Sequence, residues 1–541
     1  MERSRGGELA AGLAVAVALG LSLAAGALAE GARHPGSPAD GLPGPALHDR
    51  PADDPTWAGA VAGIVREHCV RCHHPDGSAP FSLVSYEEAR RRADRIAGAV
   101  ASGEMPPWLP DSDGRTFVNA RILPTPEREI LRAWAAAGAP AGAPPDVLAR
   151  IEEETDLWCA TVPELSGDWA LGPPDLVVEL PAWSMPASGT DVYRNLVVPV
   201  PVEEERWVRA VDLRPGDTRA VHHARMMVDY TRSSREEDRK DEAPGFDGME
   251  VRTQAGNPDG QFVGWTPGKG VLPPLEGMAW RVDPGTDIVA QLHLKTTGRR
   301  ETVQGELGFY FAAGPPTRHP AVVVLSSLLI DIPPGEPDWR ISNSFTLPVP
   351  VDVLSIYPHA HYLGKEMTVT AVRPDGREVE LIHIPDWDPD WQDEYRFRDP
   401  VRLPAGTVLV QEFSFDNSAA NPDNPFDPPQ RVVYGSAATD EMAEVILQVL
   451  PRNPEEREEL LEAQAWQHDA EDMAYLATME LRRGETELGR GRPERAIPRF
   501  QAALQHRSDD VAALAGLARA FAMSGDASSS AFIAERAVQL S

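Results

Sequence analysis

Residues 352–363 read DVLSIYPHAHYL, a β-branched and apolar run that ends on two histidines two positions apart. In a strand, residues two apart project from the same face, so His359 and His361 can hold one metal ion without distortion. The same pattern extends outward in both directions. From about Asp175 to Leu450, short runs such as DLVVEL, RNLVVPV, RWVRAVDL, DIVAQLHLKTT, AVVVLSSLLIDI, TVLVQEFSF and AEVILQVL alternate with Pro/Gly turns. Regular short strands of this kind predict antiparallel β-sandwiches. The stretch is long enough for two, placed at residues 160–335 and 336–452.

Most histidines of this region are clustered. His222 and His223 are adjacent in AVHHARMM, His293 lies in VAQLHLKTT, and His359 and His361 share PHAHYLGKEM. Neighbours in a strand point to opposite faces, so His222 and His223 can share one ion only across a bend or bulge. His293, with Gln291 and Val289 on its face, is placed to add a third nitrogen from an adjoining strand. Three imidazoles suit copper and zinc about equally. Met442, at the entry to the apolar run of ATDEMAEVILQV, would favour copper if it is a ligand, because a thioether is a soft donor. Its other reading is a core methionine.

Ahead of the strands stands CVRCH at residues 69–73, which takes two of the three cysteines in 541 residues. The chain opens with Arg3 and Arg5, a long apolar run, and Ala27 and Ala29 around Leu28, the order of a secretory signal over residues 1–29. Left uncleaved, that run would serve as a membrane anchor. Three cysteines make no disulfide framework, so a C-x-x-C in an exported chain is either a redox dithiol or a haem tether. His73 favours the tether: two thioethers fix the porphyrin while the adjoining imidazole takes an axial position on iron. Met105 is the only methionine between Cys72 and Met185, and it sits in EMPPW, where two prolines stiffen the loop. It is the candidate for the other axial position. Helical patterns over residues 86–102 and 126–138 would frame the pocket. His68 and His74 read as surface residues. A linker at 30–52 precedes this domain (53–145), and a Pro/Ala/Gly-rich joint follows it. Cys159 reads as a buried or free thiol without a role.

At about 100–200 residues per domain, 541 residues make three to five domains. A formal charge of −32 excludes a nucleic-acid binder, which would present basic patches, and fits a well-solvated secreted surface. From 453 to 541 the chain turns to long charged helices. Gly491 and Gly525 are 34 apart, as are Phe500 and Ala534, the spacing of helical repeats. This tail reads either as a docking site for a protein partner or as a helical lid on the second sandwich.

Three resemblances sharpen these readings. Residues 55–140 resemble a class I cytochrome c, and the tail resembles a tetratricopeptide repeat. Between about residues 165 and 450, the order His-His, QLH, H-x-H-x-L-G-K, D-E-M is similar to that of the copper type II, ascorbate-dependent monooxygenases, the family of peptidylglycine α-hydroxylating monooxygenase and dopamine β-hydroxylase. The fold implied is multidomain: a small all-α cytochrome c domain, two antiparallel β-sandwich (jelly-roll-like) domains and an α-helical tail. The resemblance implies that His222, His223 and His293 hold an electron-transfer copper, and that His359, His361 and Met442 hold an oxygen-activating one. It implies an oxidoreductase of the periplasm or exterior that hydroxylates a small organic substrate with O2, carries one covalent haem c and two coppers, and draws on an external electron donor. The departures are informative. Tyr357 stands where the peptide-amidating members carry a substrate-gripping arginine, and Glu444 and Ile446 stand where they carry Asn and Tyr, so peptide amidation is not expected. Two alternatives remain: a non-catalytic haem and copper electron carrier, and a scaffold with structural histidines. GWTPGKG, at 264–270, has the wrong glycine spacing for a phosphate loop. IPDWDPDWQDEYRF, at 384–397, reads as an acidic hairpin with Trp387 and Trp391 packed inward.

Overall fold

The computed structural model describes residues 55–541 apart from 76, 112–115, 190, 250 and 262. The expected signal (1–29) and linker (30–52) lie outside the described residues. The first helices are α1 (Ala62–His68), α2 (Tyr86–Arg90), α3 (Ala93–Ser102), α4 (Thr125–Ala136) and α5 (Pro145–Cys159). A reciprocal pair of hydrogen bonds between Ser85 and Glu88 starts α2. The helical pattern over 86–102 is broken at Arg92, whose φ of −118° and ψ of 11° are not helical. Gly103, at φ 85°, ends α3 in the left-handed conformation that glycine adopts without a Cβ penalty. The core of this region joins Trp57, Val61, Leu131 and Trp134, all essentially without exposed surface. The Pro/Ala/Gly-rich joint, AGAPAGAPPDV at 137–147, is shorter than its composition implied. Pro145 at the first turn starts α5, and Cys159 at its end packs half-buried against the same core.

Five strands carry the candidate site: β1 (Val192–Pro199), β2 (Val221–Asp229), β3 (Asp287–Leu294), β4 (Val351–His359) and β5 (Glu444–Pro451). The first sandwich has a five-stranded antiparallel sheet in the order Phe246–Asp247, β1, β3, β2, Val263–Trp265. Its partner sheet runs Leu176–Glu179, Glu306–Phe311, Arg206–Arg214, Trp280–Val282. Leu196, Val208, Trp280, Ala290 and Phe309 from both sheets form one core. Every residue of β3 is buried, which fits its mostly apolar sequence, DIVAQLHL. The second sandwich packs the sheet Ala321–Ser326, β5, β4, Tyr395–Leu403 on the sheet Trp339–Thr346, Val408–Phe415, Gly364–Val372, Glu378–Ile384. Because Ala321–Ser326 pairs with β5, this sandwich takes in residues ahead of position 336. Trp108 and Phe117, from the loop after α3, pack against Tyr395 at 5.2 and 5.6 Å, so the helical region is seated on the second sandwich.

The tail consists of α6 (Pro454–Gly489), α7 (Pro493–His506), α8 (Val511–Ser524) and α9 (Ala527–Leu540). The first half of α6 is a lid: Leu460 enters the second core, and the Gln464 amide pairs with the N–H and C=O of Val324, each at 3.0 Å. This satisfies polar groups of an edge strand. The second half of α6 belongs to a separate core around Phe500. A Cβ on Gly484 or Gly516 would come within 2.7 or 2.4 Å of that ring, so both positions need glycine for close helix packing. Among the described residues no helix is long and apolar enough to cross a membrane.

Candidate functional site

The bulge needed for His222 and His223 to share an ion is present, since the register of β2 on β3 shifts between Val221 and His223. It brings the two Nδ1 atoms within 3.3 Å of each other. His293, paired with His223 across the sheet, places its own Nδ1 3.4 Å from that of His223. One ligand atom from each ring lies within 4.8 Å of the others. His293 Nε2 lies 2.9 Å from Asp191 Oδ2, and the ring stacks on Tyr193 at 4.3 Å. Such a carboxylate fixes both tautomer and ring orientation of a metal-binding histidine. Burial, then the neighbouring positive groups, lowers His222 to about 4 and holds His223 well below its ordinary value. Both rings are therefore neutral at pH 7, the form that ligates metals.

The second pair is assembled differently from the expectation of two positions on one strand. β4 ends at His359, and His361 lies two residues on, outside the strand; the two rings stand 5.1 Å apart at 77° to each other. His359 Nδ1 bonds Gln392 Oε1 at 2.7 Å and His361 Nδ1 bonds the Asp440 carbonyl at 3.0 Å. With its Nδ1 hydrogen so used, His361 presents the lone pair of Nε2, which is buried without a hydrogen-bond partner. An orphaned buried nitrogen beside a second imidazole fits a metal ligand. Burial, then the His359 ring, lowers His361 to about 3. The fully buried Glu441 carboxylate accepts from the N–H groups of His361 (2.9 Å), Leu363 (2.6 Å) and Met442 (3.1 Å). Burial pushes Glu441 up to about 8 against the pull of those bonds. Met442 lies on the wall of a cavity of about 300 Å³ that also reaches His223, His359, Tyr193, Tyr357 and Arg225.

A second cavity, of about 360 Å³, is lined by Cys69, Cys72, His73, Met105, His222 and Gln392. His73 Nδ1 bonds the Phe81 carbonyl at 3.1 Å, which leaves Nε2 with a free lone pair. Burial pushes the Cys69 thiol up to about 12 and raises Cys72 as well. A reactive dithiol needs the opposite shift, so the donor set fits a thioether tether better. His74 Nδ1 bonds the Val70 carbonyl at 3.1 Å; His68 pairs with Glu127 at 2.8 Å and is half-buried at the rim. GWTPGKG lies beside this cavity. Gly268, at φ 73°, would set a Cβ 2.7 Å from Cys72 Sγ, so its glycine answers a packing demand.

Residues 487–539 match the tetratricopeptide repeat family. The tetratricopeptide repeat thus takes in the end of α6 and the helices α7 to α9. No curated protein matches the chain. Among solved structures, the subviral particle of infectious bursal disease virus VP2 is 7% identical, covering 53% of this chain and 83% of that one, with a TM-score of 0.14. The structure of the Gx strain of that virus is 10% identical over 54% of this chain and 86% of that one, with a TM-score of 0.13. Scores this low carry no argument about fold or function.

Four residues at the site carry no motif of their own in the sequence. Glu441 and Gln392 stand inside stretches already singled out, TDEM and the acidic hairpin, but nothing local marks what they touch. Asp191, just before β1, and Tyr193, near its start, carry no signal of their own. His383 lies outside both histidine clusters and meets Glu366 at 3.2 Å. Trp387 is buried and bonds the His361 carbonyl at 3.2 Å, whereas Trp391 is only half-buried and lines the larger cavity.

Proposed function

We propose that this chain is an exported copper-dependent monooxygenase that hydroxylates a C–H bond of a small organic substrate, fed one electron at a time through a fused c-type haem. One oxygen atom of O2 enters the C–H bond, and the other leaves as water with two electrons and two protons. The reading is carried by a shared wall: the cavity lined by Cys69, Cys72, His73 and Met105 is also lined by His222 and Gln392. Cys69 and Cys72 would tether the porphyrin, and His73 and Met105 would ligate its iron. His222, His223 and His293 would hold one copper, and His359, His361 and Met442 the other. When bound, these groups supply one-electron transfer and O2 activation.

The chain's own residues prepare the site. The Phe81 and Asp440 carbonyls hold the hydrogens of His73 and His361 on Nδ1, so each ring offers Nε2. Tyr193, Met227, Tyr357 and Ile446 give the cavity between the metal sites an apolar part, and Arg225, Lys269, Asp393, Glu394 and Glu444 give it a charged part, a lining suited to holding an organic substrate with polar groups. The soft Met442 thioether, on the wall of the cavity that also reaches His359, would favour copper over zinc.

The test has two parts. Purified protein should contain one haem and two coppers per chain; zinc in their place would refute the oxygenase. The haem is then reduced, mixed with O2, and its reoxidation followed in wild type and His361→Ala. Slower reoxidation in the variant is expected. Equal rates would leave only a haem and copper electron carrier.

A further inference from the structure

The segment read from sequence as an acidic hairpin touches every part of the site. Trp387 Nε1 donates to the His361 carbonyl at 3.2 Å, and Asp390 Oδ1 pairs with Lys295 and lies 3.8 Å from His222 Nε2. Gln392, 5% exposed, lies between the two histidine clusters: its Oε1 is 2.7 Å from His359 Nδ1 and its Nε2 is 3.2 Å from His223 Nε2. We propose that Gln392 makes the two metal sites antagonistic, so that loading one weakens the other. This rests on the two-copper reading above.

The argument is a count of hydrogens. A carboxamide has one accepting end and one donating end. His359 Nδ1 donates to Oε1, which frees His359 Nε2 as a ligand atom. His223 Nε2 must then accept from the amide, so the hydrogen of this neutral ring sits on Nδ1. That atom points at the Nδ1 atoms of His222 and His293, 3.3 and 3.4 Å away, where a first-site metal would bind. For His223 to bind metal through Nδ1, its hydrogen must move to Nε2, which then needs an acceptor. Turning the amide over supplies one but presents the NH2 to His359, whose hydrogen must shift to Nε2, the ligand atom of the second site. No net proton is gained or lost, and neither orientation of one carboxamide satisfies both metal-bound rings.

The experiment is anaerobic titration with Cu(I) alone against a competing chelator. Second-site affinity is measured in the full-length protein with the first site loaded, and in His293→Ala, where the first site is crippled. Roughly tenfold tighter second-site binding is expected in His293→Ala, the scale at which outer hydrogen-bond partners act on metal affinity. The factor should vanish in Gln392→Glu, whose carboxylate accepts from both rings, with affinity retained. It should also vanish in Gln392→Leu, with both sites weakened. A purely structural role for Gln392 would weaken binding without changing the factor. The coupling is refuted, with the two-copper reading intact, if two Cu(I) bind and the factor is near one or is the same with Gln392 and Gln392→Glu. Uptake of fewer than two Cu(I) per wild-type chain overturns both.

Discussion

The Glu441 carboxylate takes main-chain N–H bonds from His361, Leu363 and Met442, joining two segments that are far apart in sequence. It therefore positions both a nitrogen and a sulfur of the second site without facing the cavity. Above the carboxyl's pKa of about 8, Glu441→Gln keeps the size but replaces one accepting oxygen with a donor, so at pH 9 a buried N–H loses its partner, at a cost of about 1–3 kcal/mol. Denaturant unfolding should show that loss, and Cu(I) titration should show second-site affinity lower by roughly tenfold with the first site unchanged. Unaltered second-site affinity would mean that His361 and Met442 are held by other contacts. The residue types of the site were visible in the sequence because His-His, H-x-H and D-E-M are compact. The residues that orient them were not, because Gln392, Asp191 and Glu441 reach their partners only through the tertiary fold.

At the scale of elements, β2 shows how one strand serves the site at one end and stability at the other. Its bulge turns His222 and His223 toward each other, a requirement that the period of two already imposed. His361 lies past the end of β4 at His359, yet its ring stands 5.1 Å from that of His359, so the two still meet. At the far end, Asp229 has no exposed surface and accepts from Thr231 N (2.8 Å), Thr231 Oγ1 (2.7 Å), Ser233 Oγ (3.1 Å) and Ser234 N (2.7 Å). Burial alone would raise its pKa, but these bonds outweigh it and lower the carboxyl from 3.8 to about 2. A depressed carboxyl stabilises the fold in full above its unfolded value, and the contribution fades as pH falls from about 3.8 toward about 2. At 1.36 kcal/mol per unit, the shift is worth about 2 kcal/mol. Asp229→Asn should be less stable by about that much at pH 7 and pH 5, with the gap narrowing at pH 3. A gap that stays constant with pH would show that the charge of Asp229 contributes nothing.

At the scale of the whole molecule, the sandwiches and helices were legible from periodicity, whereas the shared wall between the CVRCH cavity and His222 was not. It depends on how the helical region seats on the sandwiches through Trp108, Phe117 and the 264–270 loop, and no periodicity encodes that. The tail divides at the middle of α6. Its first half contributes Leu460 to the core of the second sandwich, whereas Phe500, Leu517 and Leu488 form a core of their own. Separate cores unfold as separate cooperative units when few contacts join them. Calorimetry of the full-length protein should therefore show a transition that is absent from a chain ending at Arg490. That shorter chain should keep its haem and copper content and its rate of haem reoxidation, while exposing Leu481 and Leu488 on α6 and so becoming less soluble. If truncation abolished metal uptake, or removed no transition, the tetratricopeptide repeat would be part of the lid over the second sandwich and not a unit available to a partner.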